Sequence, residues 1–242
     1  MKSLIKKFFG FMGYSIERKK IPIKASYNKP SPYSKICLKS FNVLDLEEIE
    51  AIGDSIPGMI ASSSGRNLFT LCYFQQEKGD ILEIGSWQGR STVFLAYAAL
   101  GSGNGKVWAV DHFKGNSGKE HHYVIEKEDL SDLKNGFKNN IHRAGLSSYV
   151  ELLDMTNSKA ARHIKDKSIR FLFIDGDHSK SGIEKDLKLF LPKLVDNAII
   201  AFDDYSESFP GVVEVIDDLL KKDNHSQVMS YENTLIMRLE SR

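Results

Sequence analysis

The chain has 242 residues, with 33 Lys+Arg against 32 Asp+Glu, 41% hydrophobic and 27% charged residues, and two cysteines. This composition excludes a disordered chain, a collagen-like repeat and a disulfide scaffold, and Cys37 and Cys72 lack the CxxC spacing of a zinc ribbon or redox motif, so a reducing cytoplasm is expected. Residues 1–40 hold ten Lys/Arg and one acidic residue, which leaves the rest of the chain at −8. An acidic body argues against nucleic acid as a partner, because that footprint is a basic face on the folded domain.

In chain order, residues 1–20 come first, with Leu4, Ile5, Phe8, Phe9, Phe11 and Met12 forming a helical stripe flanked by Lys2, Lys6 and Lys7. There is no long apolar run and no small-residue cleavage site, so neither a signal peptide nor a transmembrane helix is expected. Such a helix packs on its own body or on a second copy in a homo-oligomer, or it lies on an anionic surface such as the inner membrane face. Residues 21–40, with three prolines, read as an arm. The division is a basic helix and arm over 1–40 and one domain over 41–242.

Within that domain the spacing predicts helices over 44–56 and 62–76, the second with a serine-rich start able to cap it. Strands follow at 80–85, 106–111, 149–153, 170–175 and 198–203, alternating with helices at 91–100, 130–144, 158–164, 181–191 and 211–222. Two last runs, 227–231 and 234–239, close the chain as a hairpin. Short apolar strands alternating with helices call for an α/β fold with a mainly parallel, doubly wound sheet.

Ligands of such sheets bind at the carboxyl ends of the strands. Here those ends carry Glu83 and Gly85, Asp111, Asp175 and Asp177, and Asp203 with Asp204. Each carboxylate at a buried rim costs desolvation unless it is paired or metal-bound, so the rim is where chemistry is expected. Gly85 and Gly89, spaced by Ser86-Trp87-Gln88, let a backbone turn approach a ligand without forming the GxGxxG pyrophosphate pattern of nicotinamide oxidoreductases. Asp111 suits the two hydroxyls of a ribose. Clustered carboxylates suit a hard cation such as Mg²⁺, and adjacent Asp203 and Asp204 repel one another unless a cation or proton intervenes.

The sequences EIGSWQGRST, IDGDHS and FDDY, in this order across residues 56–205, resemble the class I S-adenosylmethionine-dependent methyltransferases. Within that class the chain is similar to the metal-dependent O-methyltransferases of the macrolide-sugar and catechol/caffeoyl-CoA types. The resemblance implies a Rossmann-like seven-stranded sheet with a C-terminal antiparallel strand and S-adenosylmethionine as cofactor. It places Met59, Ser63, Glu83, Gly85, Ser86, Gly89 and Ser91 around the methionine and ribose end, with Asp111 and His112 at the ribose. Asp154 and Met155 would lie by the adenine, and Asp175 and Asp177 would touch the cofactor.

It further implies Asp175, Asp203 and Asp204 as metal ligands, with His178 as general base beside Asp175. An imidazole is well matched to taking a hydroxyl proton at neutral pH. His121, His122 and Tyr205 are substrate-contact candidates, the two histidines on a long segment of the kind that covers sites. The expected acceptor is the hydroxyl of a sugar or glycan. A phenolic acceptor is the alternative, and a noncatalytic cofactor-binding protein would need a broken metal or base set.

Overall fold

The computed structural model describes residues 43–115, 132–222 and 225–240. The expectations for residues 1–40 and for His121 and His122 lie outside them. Among the described residues no helix is long and apolar enough to cross a membrane.

Two helices, α1 (Val43–Asp54) and α2 (Ser62–Phe74), precede the sheet. Then come β1 (Asp80–Ile84), α3 (Arg90–Ser102), β2 (Val107–Val110), α4 (Leu133–Arg143), β3 (Val150–Leu153) and the short α5 (Asn157–Ala160). After these come β4 (Ile169–Ile174), α6 (Lys180–Phe190), β5 (Leu194–Phe202), α7 (Pro210–Leu220), β6 (His225–Tyr231) and β7 (Thr234–Leu239). The seven strands are ordered β3-β2-β1-β4-β5-β7-β6. Five run parallel, and β7 enters antiparallel between β5 and β6. The expected Rossmann-like sheet is therefore the one observed.

Alternation along the strands splits the core in two. Ile81, Phe171 and Phe173 face α1 to α4, where they pack with Phe69, Phe94 and Phe137. Leu82, Ile84, Leu172 and Ile174 face α6 and α7, where they meet Ile183, Phe190 and Ile216. Both faces are covered, which is why these strands read as continuous apolar runs.

Two local expectations change. The serines opening α2 do not cap it: Ala61 holds the cap position without a side-chain bond, Ser62 donates to Asp54, and Ser63 and Ser64 donate to Glu232 in the β6–β7 turn. Tertiary acceptors took hydroxyls that local geometry alone would have given to the helix end. β5 also starts earlier than expected, because Asn197 adopts a left-handed φ of 60° and lets the strand run through an irregular register. Asn tolerates that region.

Candidate active site

The carboxyl ends of β1, β2 and β4 open into a cleft of about 320 Å³, within the range of small-molecule sites. Its floor is the β1–α3 turn, whose shape depends on Asp111. One Asp111 oxygen accepts the Ser86 and Trp87 N–H groups at 3.0 and 2.9 Å, and the other accepts the Phe113 N–H at 2.6 Å. Trp87 and Phe113 have φ of 46° and 54°, a conformation that costs a bulky residue about 1–3 kcal/mol and persists only when its surroundings enforce it. The same carboxylate thus holds two strained residues, and with about four acceptor sites it keeps one for a ligand hydroxyl.

Both glycines are required by packing. A Cβ on Gly85 would stand 1.9 Å from the Asp175 carbonyl oxygen, and one on Gly89 would press on Phe137, both at φ above 80°. Gly85 lines the cleft; Gly89 does not. Glu83 lies behind the turn, fully buried, where its carboxylate accepts the Thr92 hydroxyl. Burial pushes its pKa up to about 7, against the opposing pull of the Ser91, Thr92 and Ser86 hydroxyls. Glu83 therefore shapes the turn without reaching the cleft.

One end of the cleft is formed by Gly58, Met59 and Ile60 against Arg90 and Ser91 at the start of α3. Arg90 donates to Asp54 at 2.7 Å and to the Gly58 carbonyl at 3.3 Å, tying this wall down. A cation in a first helical turn is unfavourable for the helix dipole, so its position was a sequence clue that it had an acidic partner elsewhere. Met59 remains 65% exposed at the lip. Ser63, expected here, is instead bonded to Glu232 at 2.8 Å.

The other end is formed by Thr156, Asn157, Gly182, Lys185 and Asp186. Asp154 and Met155, expected by the adenine, do not line the cleft: Asp154 is in an ion pair with Lys134, and Met155 packs against the apolar core. The chain turns inward two residues later than the strand-end reading supposed. Asp186 was missed, although it sits on the buried face of α6 with Ile183, Leu187 and Phe190. A carboxylate on an apolar helix face was the legible sign. His112 lines the cleft, its Nδ1 accepting the Lys114 N–H. Asp177 lines it too, accepting the Ser179 N–H at 2.9 Å, while the Ser179 hydroxyl caps α6.

Asp175 and His178, also cleft residues, meet Asp204 at the sheet edge. One donor atom from each of the three lies within 4.8 Å of the others. His178 Nε2 is 3.1 Å from Asp204 Oδ2 and 3.8 Å from Asp175 Oδ1, and its ring packs edge-on against Phe209. Asp203, expected as the third ligand, is outside this compact group: its Oδ1 accepts the Thr234 hydroxyl at 2.9 Å. Tyr205 points away, donating to Asp217 at 2.8 Å.

Burial and then the charges of Asp203 and Asp204 push Asp175 well above the usual carboxylate range, and burial with Asp204 also raises Asp203. Such a cluster is relieved by a cation, and the oxygen donors of Asp175 and Asp204 suit a hard divalent metal. The cleft likewise fits an elongated ligand, since hydrogen-bonding groups stand at both ends and in the middle.

A family model described as a methyltransferase domain matches residues 82–205. Among solved structures, the chain is similar to an O-methyltransferase from Bacillus cereus in complex with SAH, at 21% identity and a TM-score of 0.54, over 88% of this chain and 96% of that one. It is similar to the O-methyltransferase TomG from Streptomyces achromogenes in complex with SAM, at 15% identity and a TM-score of 0.56, over 88% and 96%. It is also similar to the methyltransferase PaMTH1 from Podospora anserina, SAH-bound, at 13% identity and a TM-score of 0.59, over 91% and 100%.

Proposed function

The chain belongs to the methyltransferase-domain family, and from that premise we propose that it is an S-adenosylmethionine-dependent O-methyltransferase, assisted by a divalent metal and acting on a sugar hydroxyl. The observation that carries this reading is the meeting of Asp175, His178 and Asp204 at the edge of the cleft.

The methionine carboxylate of the donor would be held at the start of α3 beside Ser91, where backbone N–H groups favour an anion. Asp111 would take the ribose and Asn157 the adenine. Bound there, the donor supplies a sulfonium methyl group, and Mg²⁺ held by Asp175 and Asp204, with Asp203 nearby, supplies a Lewis acid for the acceptor oxygen. His178 is the group placed to take the hydroxyl proton. Asp204, 3.1 Å from Nε2, stabilises the imidazolium that results, and Phe209 shields the ring from water. The strained turn held by Asp111 fixes the cleft before any ligand arrives, which lowers the entropic cost of aligning two reactants.

Calorimetric titration with S-adenosylmethionine and S-adenosylhomocysteine, with Mg²⁺ and with EDTA, tests the reading on the wild type and on Asp204→Ala. Binding of both nucleosides, metal binding lost in the variant, and methylation of nucleotide sugars are the expected results. Failure of the sulfonium compound to bind removes the assignment. A phenolic acceptor is the second reading, favoured by Phe209 and Phe113 beside the site; methylation of catechols but not of sugars would select it. Contact of residues 1–20 with a membrane or a second copy belongs to the same proposal, and a chain lacking them should lose binding to anionic vesicles or change its oligomeric state.

A further inference from the structure

At the cleft end remote from α3, Asp186 is a carboxylate only 2% exposed, carried on the apolar face of α6. Its Oδ1 accepts the Asn157 side-chain amide nitrogen at 2.7 Å. Its Oδ2 lies beneath the loop after β4, 3.9 Å from where a Gly176 Cβ would stand. Asn157 and Asp186 both line the cleft. Burial lifts Asp186 to about 6, against the pull of the Asn157 amide; above that pH it is a carboxylate that can only accept hydrogen bonds, as its Oδ1 does from Asn157.

An amide beside an acceptor-only group has no choice of orientation. Its nitrogen must face Asp186, which leaves the carbonyl oxygen as the acceptor that Asn157 offers to a ligand. We infer that Asp186 is a positioning residue for base selection: by fixing the Asn157 amide it makes this end of the cleft an acceptor, which favours a purine with an exocyclic amino group over one with a carbonyl at that position. The inference rests on the cofactor reading above and deepens it, since that reading places the base but does not say what discriminates it. A donor base satisfies the Asn157 oxygen, whereas a carbonyl base sets acceptor against acceptor in a partly buried place, a mismatch that binding sites reject strongly.

The test compares the affinity of S-adenosylhomocysteine with that of S-inosylhomocysteine, which differ at that one substituent pair, in the full-length protein by calorimetry. The wild type should prefer the adenine compound by roughly tenfold or more. Asp186→Asn, nearly isosteric, frees the Asn157 amide to turn either way, and the preference should fall to within about threefold, at the scale of one lost neutral hydrogen bond. The exchange Asp186→Asn with Asn157→Asp restores an acceptor toward the base and should restore the preference. If the single variant Asp186→Asn does not fold, Asp186→Ser, whose hydroxyl both donates and accepts, carries the test and should lower the preference in the same way.

A merely structural role for Asp186 would weaken both ligands together and leave the ratio unchanged. An unchanged ratio, or a wild type that binds the two compounds equally, overturns the inference while leaving the cofactor reading intact. Failure of the wild type to bind either compound overturns both.

Discussion

The two rims of the sheet bury charge in opposite ways. At the amino-terminal rim, Arg170 is fully buried, and its guanidinium donates to the carbonyls of Gly79, Cys72 and Asn104 and to the Gln75 side chain. Gln75 returns a bond to the Arg170 carbonyl at 2.6 Å. Among the described residues no carboxylate is in ion-pair contact with the cation, yet its donors meet fixed dipoles, and the result ties the end of α2, the start of β1 and the α3–β2 turn together. At the carboxyl-terminal rim, burial and the charges of Asp203 and Asp204 raise the proton affinity of Asp175, burial and Asp204 raise that of Asp203, and Asp204 has φ of 57°. One rim is satisfied by its own backbone. The other holds a concentration of like charge that a ligand can relieve, which is the mark of a site rather than of a scaffold.

The largest break in this comparison should come from Arg170→Met. It removes the donors but leaves their acceptors buried, and about 4 kcal/mol of stability should go. Chemical denaturation measures this loss, and Mg²⁺ affinity of the folded fraction should be unaffected.

Asp175→Asn should act in the opposite sense. Removing one of three repelling charges should raise the unfolding midpoint at pH 8 without metal, while methyl transfer falls roughly a hundredfold or more. Mg²⁺ should stabilise the wild type at pH 8 and not this variant. A variant that lost stability and activity together would show that the acidic rim is scaffold after all.

Glu83 sharpens the contrast, because it sits at the acidic rim but behaves as interior. Its folded pKa of about 7 lies above its ordinary 4.5, so its stabilising contribution is complete below 4.5 and is lost as the pH rises through 7. Glu83→Gln should therefore flatten the stability profile across that window and gain on the order of 2–3 kcal/mol over the wild type at pH 8. Thermal unfolding from pH 5 to 8 decides it.

The smallest effect belongs to Ser179→Ala, which deletes the cap that accepts the Gly182 N–H. It should cost about 1 kcal/mol and shift the unfolding midpoint without changing metal binding, confirming that helix ends near the site act locally.

Much of this was legible beforehand, for identifiable reasons. β4 reads IRFLFI, and a run buried on both faces can only be a central strand of a covered sheet. Asp175, Asp177, Asp203 and Asp204 stood out because carboxylates at the ends of such strands need an explanation. Thr156 and Asn157 were hidden, because the reading stopped at the strand end and the chain enters the cleft two residues further on. Asp203, Tyr205 and Ser63 looked like site residues by position, yet Thr234, Asp217 and Glu232 hold their side chains. Each of those partners is distant in sequence or on another element, beyond the reach of any local pattern.

The sequence by itself determined the order of strands and helices, the rim on which acidic residues gather and the family, since all three follow from periodicity and short motifs. Only the tertiary structure decided that Asp111 builds the strained turn, that His178 meets Asp204 and that Asp186 accepts from the Asn157 amide. Hydrogen bonds between side chains depend on distances of a few tenths of an ångström across elements far apart in the chain, and packing sets those distances.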